Sequence, residues 1–292
     1  MGICHQNASC ESPSQIVLEN EVSEIRLALQ EYAGALIDRP SEALSAVLED
    51  FLRTHHINSA AELISDLRRQ PCRCASLLEC LLPGATGFFR PVAIYETLSS
   101  QVLPGILAAK CGTDAQQLRI WSAGCASGEE AYSIAMSVCD VMDRGNCVGN
   151  VHIVATDIRE QALKIAERGL YPASTLLHLA APYVARYFSR VGDHLLIKPR
   201  LRNLVAFTQA NLVEPFFLGR FDCIFCLDVL PHLCSAARNT LWQRLQLSVE
   251  PGGYIFLGEN ESLPAPTPFR RHAHGGCVFY ERPLAFTASA GK

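Results

Sequence analysis

The sequence predicts an α/β fold: a doubly wound, mostly parallel sheet with a helical region in front of it and a small antiparallel insert. Three observations predict this. From about residue 117 onward, short apolar runs of the kind found in strands buried on both faces alternate with helical patterns. Before that point, apolar residues recur at three- and four-residue steps and nothing alternates like a strand. A stretch between the second strand-helix unit and the next apolar run carries its own short alternation and a turn signal.

In chain order, residues 1–15 are polar and are expected to form a loose tail. Helical periodicity begins near Ile16 and runs through SEIRLALQEYAGAL, with Ile25, Leu29, Tyr32 and Leu36 on one stripe. After Pro40, Ser41 is expected to cap the helix SEALSAVLEDFLRTH, and Asn58-Ser59 to cap SAAELISDLRRQ, which Pro71 would end. These segments define a helical region over 16–85, followed by a linker and connecting helix over 86–117. The sheet region spans 118–283, with strands expected at LRIWSA, VHIVATDI, LVAFTQANL, FDCIFCLDVL and GGYIFLGE. The insert is placed at about 172–203, around the VGD turn, and residues 284–292 form a C-terminal tail. No internal repeat or low-complexity segment is present.

Composition narrows the function. The 292 residues carry 25 Lys+Arg against 29 Asp+Glu, a net charge of −4, with 49% hydrophobic residues. That supports a substantial core and argues against nucleic acid as the main partner, which demands concentrated cationic side chains. No apolar run approaches the roughly 18–20 residues of a membrane span, and the start lacks a signal-peptide pattern. The 13 cysteines, an odd count, fit reduced thiols, so a cytoplasmic location is expected.

The strongest chemical signal is the turn after the first strand, residues 122–128, SAGCASG. Its small residues admit a ligand close to the backbone, and amides at the start of the following helix are expected to face it. Glu129 and Glu130 stand at that helix start, where they would repel a diphosphate and suit a cationic ligand. No GxGxxG or GxxxxGK[ST] is present. Asp157, at the end of the second strand, can accept both hydroxyls of a ribose. A nucleoside with a cationic tail and no phosphate is S-adenosylmethionine.

Here the sequence resembles the CheR family of chemotaxis receptor methyltransferases. The resemblance covers most of the chain. It rests on an ordered series: TGFFR at 86–90, WSAGCASGEEAYSIAM, ATDI with an AERGLY tail, Asn211-Leu212, FDCIFCLDVL and PGGYIFLGENESL. It implies a Rossmann-like methyltransferase sheet with an N-terminal helical domain and an inserted β-subdomain. The implied activity is methyl transfer from S-adenosylmethionine to glutamate side chains on a chemoreceptor signalling helix. It further implies that Thr86 and Arg90 line the methionine end of the cofactor, with Arg90 near the methyl. Glu129 or Glu130 would meet the cofactor, Asp157 the ribose, and Asn211 and Leu212 the adenine. Asp228 and Val229 would close the site under the methionine, and Ala123 belongs to the same small-residue wall. The glutamate acceptor is already ionised at neutral pH, so no general base is nominated; Arg90 and His232 are expected to orient the substrate.

Some positions depart from the family pattern. Leu227-Asp228 stands where Arg-Asn is common, His232 where Tyr is common, and Gly84 where Asn is common. These departures motivate an alternative, a cofactor-binding regulatory module with weak or no transfer; a small-molecule methyltransferase is a third reading. Cys72, Cys74 and Cys80, and Cys223 and Cys226 with His232 and Cys234, resemble metal patterns. Cys223 and Cys226 would point to opposite faces of a strand, and no metal is expected. Arg68, Arg69 and Arg73 are candidate contacts for an acidic receptor helix. Some family members tether a receptor tail on the inserted subdomain through a longer Gly-containing loop. The tight turn FSRVGDHL at 188–195 instead suggests a tether-independent, monomeric enzyme.

Overall fold

The computed structural model describes residues 17–82, 86–110, 117–145 and 150–284. The expected N-terminal tail, Gly84 and most of the C-terminal tail lie outside them.

Four helices come first: α1 (Glu19–Ala33), α2 (Ser41–Thr54), α3 (Ala60–Arg69) and α4 (Pro71–Leu81). Their apolar stripes meet in a core that includes Ile25, Leu29, Leu44, Leu48, Leu63 and Leu77. Ser59 caps α3 as its sequence suggests, its side chain accepting from the Glu62 amide. Two other expectations need correction. Ser41 is the first helical residue rather than the cap, because Pro40 occupies that position with extended backbone. Pro71 follows the end of α3 as expected, but it also opens a further helix, α4, from the first helical position, where its missing N–H costs nothing. Leu36 also falls outside its expected stripe, because α1 stops at Gly34 (φ 63°). Only glycine fits there: a Cβ would lie 2.1 Å from the Cβ of Ala237.

Next come α5 (Val92–Thr97), a π turn at Leu98–Val102 and α6 (Leu103–Lys110). Together they form one helical run of 19 residues with mean hydropathy 1.2, which by length and composition alone reaches the size of a membrane span, against the expectation that no apolar run approaches it. Its Ile94, Leu98, Val102 and Leu103 are buried in the main core, which accounts for its apolar character.

The sheet region alternates β1 (Gln117–Ala123), α7 (Glu129–Gly145), β2 (Asn150–Asp157) and α8 (Glu160–Arg168). After them come β3 (Leu170–Pro172), α9 (Ala181–Tyr187), β4 (Phe188–Val191), β5 (His194–Ile197) and α10 (Pro199–Arg202). The chain then returns through β6 (Val205–Gln209), β7 (Phe221–Cys226), α11 (Ser235–Ser248) and β8 (Val249–Leu257), and ends in β9 (Arg270–His274) and β10 (Cys277–Glu281). The seven-stranded order is β6-β2-β1-β7-β8-β10-β9. The first five of these run parallel, whereas β10 is antiparallel to both β8 and β9. The β9 strand, RRHAH, is polar and mostly exposed, so no apolar run announces it.

Alternation along β7 sends Cys223 to the core beside α7 and Cys226 to the core beneath α11, so the pair faces apart. The inserted sheet, β3-β5-β4, is antiparallel, with Gly192 (φ 58°) and Asp193 forming the two-residue turn between β4 and β5. The helical region is fastened to the sheet by backbone bonds. Leu36 N–H donates to His232 O at 2.8 Å, and Cys234 N–H donates to Gly34 O at 2.7 Å.

Candidate active site

In a sheet wound this way, the carboxyl ends of β1 and β7 part at the point where the strand order reverses, leaving a crevice. A cavity of about 420 Å³ lies there. Thr86, Arg90, Glu130, Asp157, Asn211, Leu212, Asp228, Val229 and His232 all line it. Two expected residues do not. Ala123 is buried at the end of β1, and the Glu129 carboxylate accepts from Ser127 Oγ at 2.7 Å. Of the neighbouring glutamates, Glu130 is therefore the one on the cavity wall.

The turn after β1 is built by residues of positive φ: Gly124 (85°), Ala126 (47°) and Gly128 (93°). Four amides of this turn have partners within the protein. Gly124 and Cys125 N–H both donate to Thr156 O, at 2.7 and 2.9 Å, and Gly128 N–H to Cys125 O at 2.9 Å. Ala126 N–H donates to Asp157 Oδ2 at 2.8 Å. The turn thus locks β1 to β2 and positions Asp157.

The cavity is acidic. Glu130 accepts from Ser122 Oγ at 2.5 Å. Burial, reinforced by the charges of Asp228, Glu261 and Asp157, pushes its carboxyl up to about 8. Glu261 joins the ends of β7 and β8: it accepts from Gly258 N–H at 2.5 Å, Leu230 N–H at 2.7 Å and Asp228 N–H at 3.1 Å. These bonds hold Asp228 in left-handed backbone (φ 56°), and a side chain at Gly258 would collide with its Oδ1. His232 is held below the ordinary imidazole value by burial, so its ring is neutral at pH 7.

Asp157 has company that no sequence motif signals. Arg159, lining the same cavity, donates to Asp157 Oδ1 through its backbone N–H at 2.9 Å and its Nε at 3.0 Å, and to Oδ2 through Nη2 at 3.3 Å. Burial opposes the guanidinium's charge, yet its bonds to Asp157 hold it above the ordinary value. Its position directly after ATDI is the one clue the sequence offers to it; Glu261, within GENESL, is equally visible there.

Asn211 donates from Nδ2 to Tyr32 O at 2.8 Å and accepts from Val213 N–H at 3.2 Å, closing a turn that ties the sheet to α1. Ala33, Ala35, Leu78 and Leu82 complete the cavity with apolar surface from the helical region. Arg90 is exposed at the cavity, with no hydrogen bond or ion pair among the described residues. Arg68, Arg69 and Arg73 do not line it. Arg68 pairs with Glu24 at 3.1 Å and Arg73 with Asp66 at 3.7 Å.

A crevice at this switch point, rich in carboxylates and without a phosphate-binding turn, defines a nucleoside site with cationic preference. Its volume and donor set fit S-adenosylmethionine, the group that marks a methyltransferase of Rossmann-like fold. The sequence matches the family described as "CheR methyltransferase, SAM binding domain" over residues 84–274. It is 31% identical to a chemotaxis protein methyltransferase 1 of Pseudomonas aeruginosa, over 82% of this chain and 88% of that one. It is 30% identical to chemotaxis protein methyltransferase Cher2 of Pseudomonas putida, over 83% and 90%. The chain belongs to the CheR methyltransferase family, and S-adenosylmethionine is its cofactor. A solved glycopeptide N-methyltransferase, MtfA, aligns more loosely, with a TM-score of 0.32 and 14% identity over 61% of this chain and 63% of that one.

Proposed function

We propose that this protein methylates glutamate side chains on the cytoplasmic helices of chemoreceptors, forming methyl esters for sensory adaptation. The observation that carries this reading is Arg90: an exposed guanidinium beside an acidic, cation-preferring cavity, with no carboxylate of its own among the described residues. A planar fork of that kind suits an incoming carboxylate. The bound cofactor supplies an activated methyl on a sulfonium. The acceptor glutamate needs no base at neutral pH, so the protein's work is alignment and exclusion of water. In this reading Arg90 and the neutral ring of His232 orient the acceptor. Thr86, Glu130, Asp228 and Val229 surround the methionine end, Asp157 takes the ribose, and Asn211 and Leu212 flank the adenine. Glu129 and Ala123 support the β1 turn from behind.

The receptor-facing surface is assigned to α3 and α4, with Arg68, Arg69 and Arg73 as contacts for acidic side chains. Because Arg68 and Arg73 have intramolecular partners, the receptor's carboxylates would compete with Glu24 and Asp66. Tether-independent docking, action in the cytoplasm and a monomeric state complete the proposal.

The test is incubation with labelled cofactor and a panel of receptor cytoplasmic fragments, followed by peptide mapping. Base-labile label on glutamate is the expected result. Cofactor binding by calorimetry without transfer to any fragment would favour a regulatory module, the reading motivated by Leu227, Asp228 and His232.

A further inference from the structure

We propose that Arg159 sets the affinity of the ribose subsite by competing with the nucleoside's hydroxyls for the carboxylate of Asp157. The proposal rests on the reading of Asp157 as the ribose acceptor, and goes beyond it by naming what that carboxylate must give up.

A carboxylate offers about four lone-pair directions. At Asp157, four donors already use them: two on Oδ1, from Arg159 N–H and Nε, and two on Oδ2, from Ala126 N–H and Arg159 Nη2. Both side chains are buried, 8% and 5% exposed, so water does not offer an alternative set of partners. The two backbone donors are fixed by the β1 turn and by the start of α8. The two guanidinium donors are the ones that can leave, and the longer Nη2 contact at 3.3 Å is the weaker of them. Ribose hydroxyls that donate to Asp157 must therefore displace at least part of Arg159.

Local structure does not account for an arginine at this position. Arg159 is the N-cap residue of α8, a place that favours Ser, Thr, Asp or Asn, and its side chain caps nothing. The capping is done from α4, where Glu79 accepts from Gln161 N–H and Ala162 N–H, both at 3.1 Å. The charge of Glu79 also favours the charged guanidinium of Arg159, so a guanidinium displaced from Asp157 keeps a second carboxylate in its field. Helix α4 thereby carries both part of the cavity's apolar wall and the counter-charge of the competing residue.

The experiment measures cofactor affinity in the full chain by calorimetry. It uses S-adenosylmethionine, S-adenosylhomocysteine and the 2′-deoxy form of the latter. Arg159→Met keeps the length and apolar stem of the side chain but donates no hydrogen bond; Arg159→Ser removes the stem as well. Both should bind S-adenosylmethionine more tightly, by about five- to tenfold, as expected for one released hydrogen-bond competitor. In the same variants the loss caused by deleting the 2′-hydroxyl should grow from under about threefold to about tenfold. The apo variants should also melt at lower temperature, because the buried Asp157 loses its counter-charge. If both variants bind S-adenosylmethionine equally or more weakly while Asp157→Ala also weakens it, Arg159 is not a competitor and the proposal is overturned. If Asp157→Ala leaves affinity unchanged in a folded protein, the ribose reading falls, and the competition proposal with it.

Discussion

The part of the cavity built from strand ends carries Glu130, Asp157 and Asp228, whereas the part built from α1, α4 and the segments after them carries Ala33, Ala35, Leu78 and Leu82. The first is a set of carboxyl groups, two of them positioned by backbone amides: the β1 turn locks Asp157, and Glu261 clamps the loop that presents Asp228. The second holds no charge and follows from helix packing, since Leu78 belongs to the core of the helical region as much as to the cavity. Fixed charge selects a ligand by sign and orientation; apolar surface holds it by contact area alone. Mutations on the two sides should therefore separate orientation from retention.

The largest effect is expected where the acceptor enters. Arg90→Ala should lower kcat on a receptor fragment by about a hundredfold, the scale of a misplaced reactant, with cofactor Kd changed by less than about threefold. A variant that keeps near wild-type kcat would make Arg90 structural and leave His232 as the residue that orients the acceptor.

Asp157→Ala should weaken cofactor binding by about 1–3 kcal/mol, because the ribose loses a charged acceptor. The substitution also removes the paired carboxylate of a buried Arg159, so thermal stability should fall as well. Calorimetry on protein shown by circular dichroism to be folded separates the two consequences.

The same division explains what is legible in the sequence. The strand-end residues sit in short contiguous motifs, so residue type points to the Glu129-Glu130 pair and Asp157, and the family resemblance of the motif series points to Asn211, Leu212, Asp228 and Val229. The apolar side joins the end of α1 to Leu78 and Leu82, more than 40 positions further on, the former in a helix whose opening proline reads locally as a stop. Pro71 can end one helix and start the next, and only the packing of α4 on α8 decides between them. Arg159 escapes sequence reasoning for a related cause: an arginine after a strand reads as surface, and its burial goes with a paired carboxylate, Asp157, whose bonds to it form only in the folded chain. Hydrogen bonding inside the β1 turn is equally invisible, because it requires the register of β1 against β2.

The acidic side should also respond to pH, and the helical side should not. Glu130 titrates near 8 in the folded protein against an ordinary value of 4.5. Between those values the unfolded chain binds fewer protons than the folded one, so this group's contribution to stability falls as pH rises through that window. A cationic ligand favours the ionised form, so binding S-adenosylmethionine at pH 7 should release a proton. Its affinity should improve between pH 6 and 8 by less than about tenfold per unit. Calorimetry in buffers of different ionisation enthalpy detects the release, and Glu130→Gln should abolish it. S-adenosylhomocysteine, whose sulfur is uncharged, should show a smaller slope; an equal slope would mean that Glu130 responds to the ammonium alone.

The smallest effect belongs to the helical side. Leu82 lines the cavity but is only partly buried against the helical core, whereas Leu78 is fully buried in it. Leu78→Ala should therefore destabilise the protein by about 2–5 kcal/mol, confounding any reading of affinity. Leu82→Ala removes contact surface at the ligand with little loss of core, and should weaken cofactor binding by about two- to fivefold, at roughly 25 cal/mol per Å² of apolar surface. The weakening should be the same for S-adenosylmethionine and S-adenosylhomocysteine, since apolar surface does not sense the charge on sulfur, and it should be independent of pH from 6 to 8. A Leu82→Ala variant that discriminated between the two ligands would show that the helical region also sets the position of the acidic groups, and the division of labour between the two sides would no longer hold.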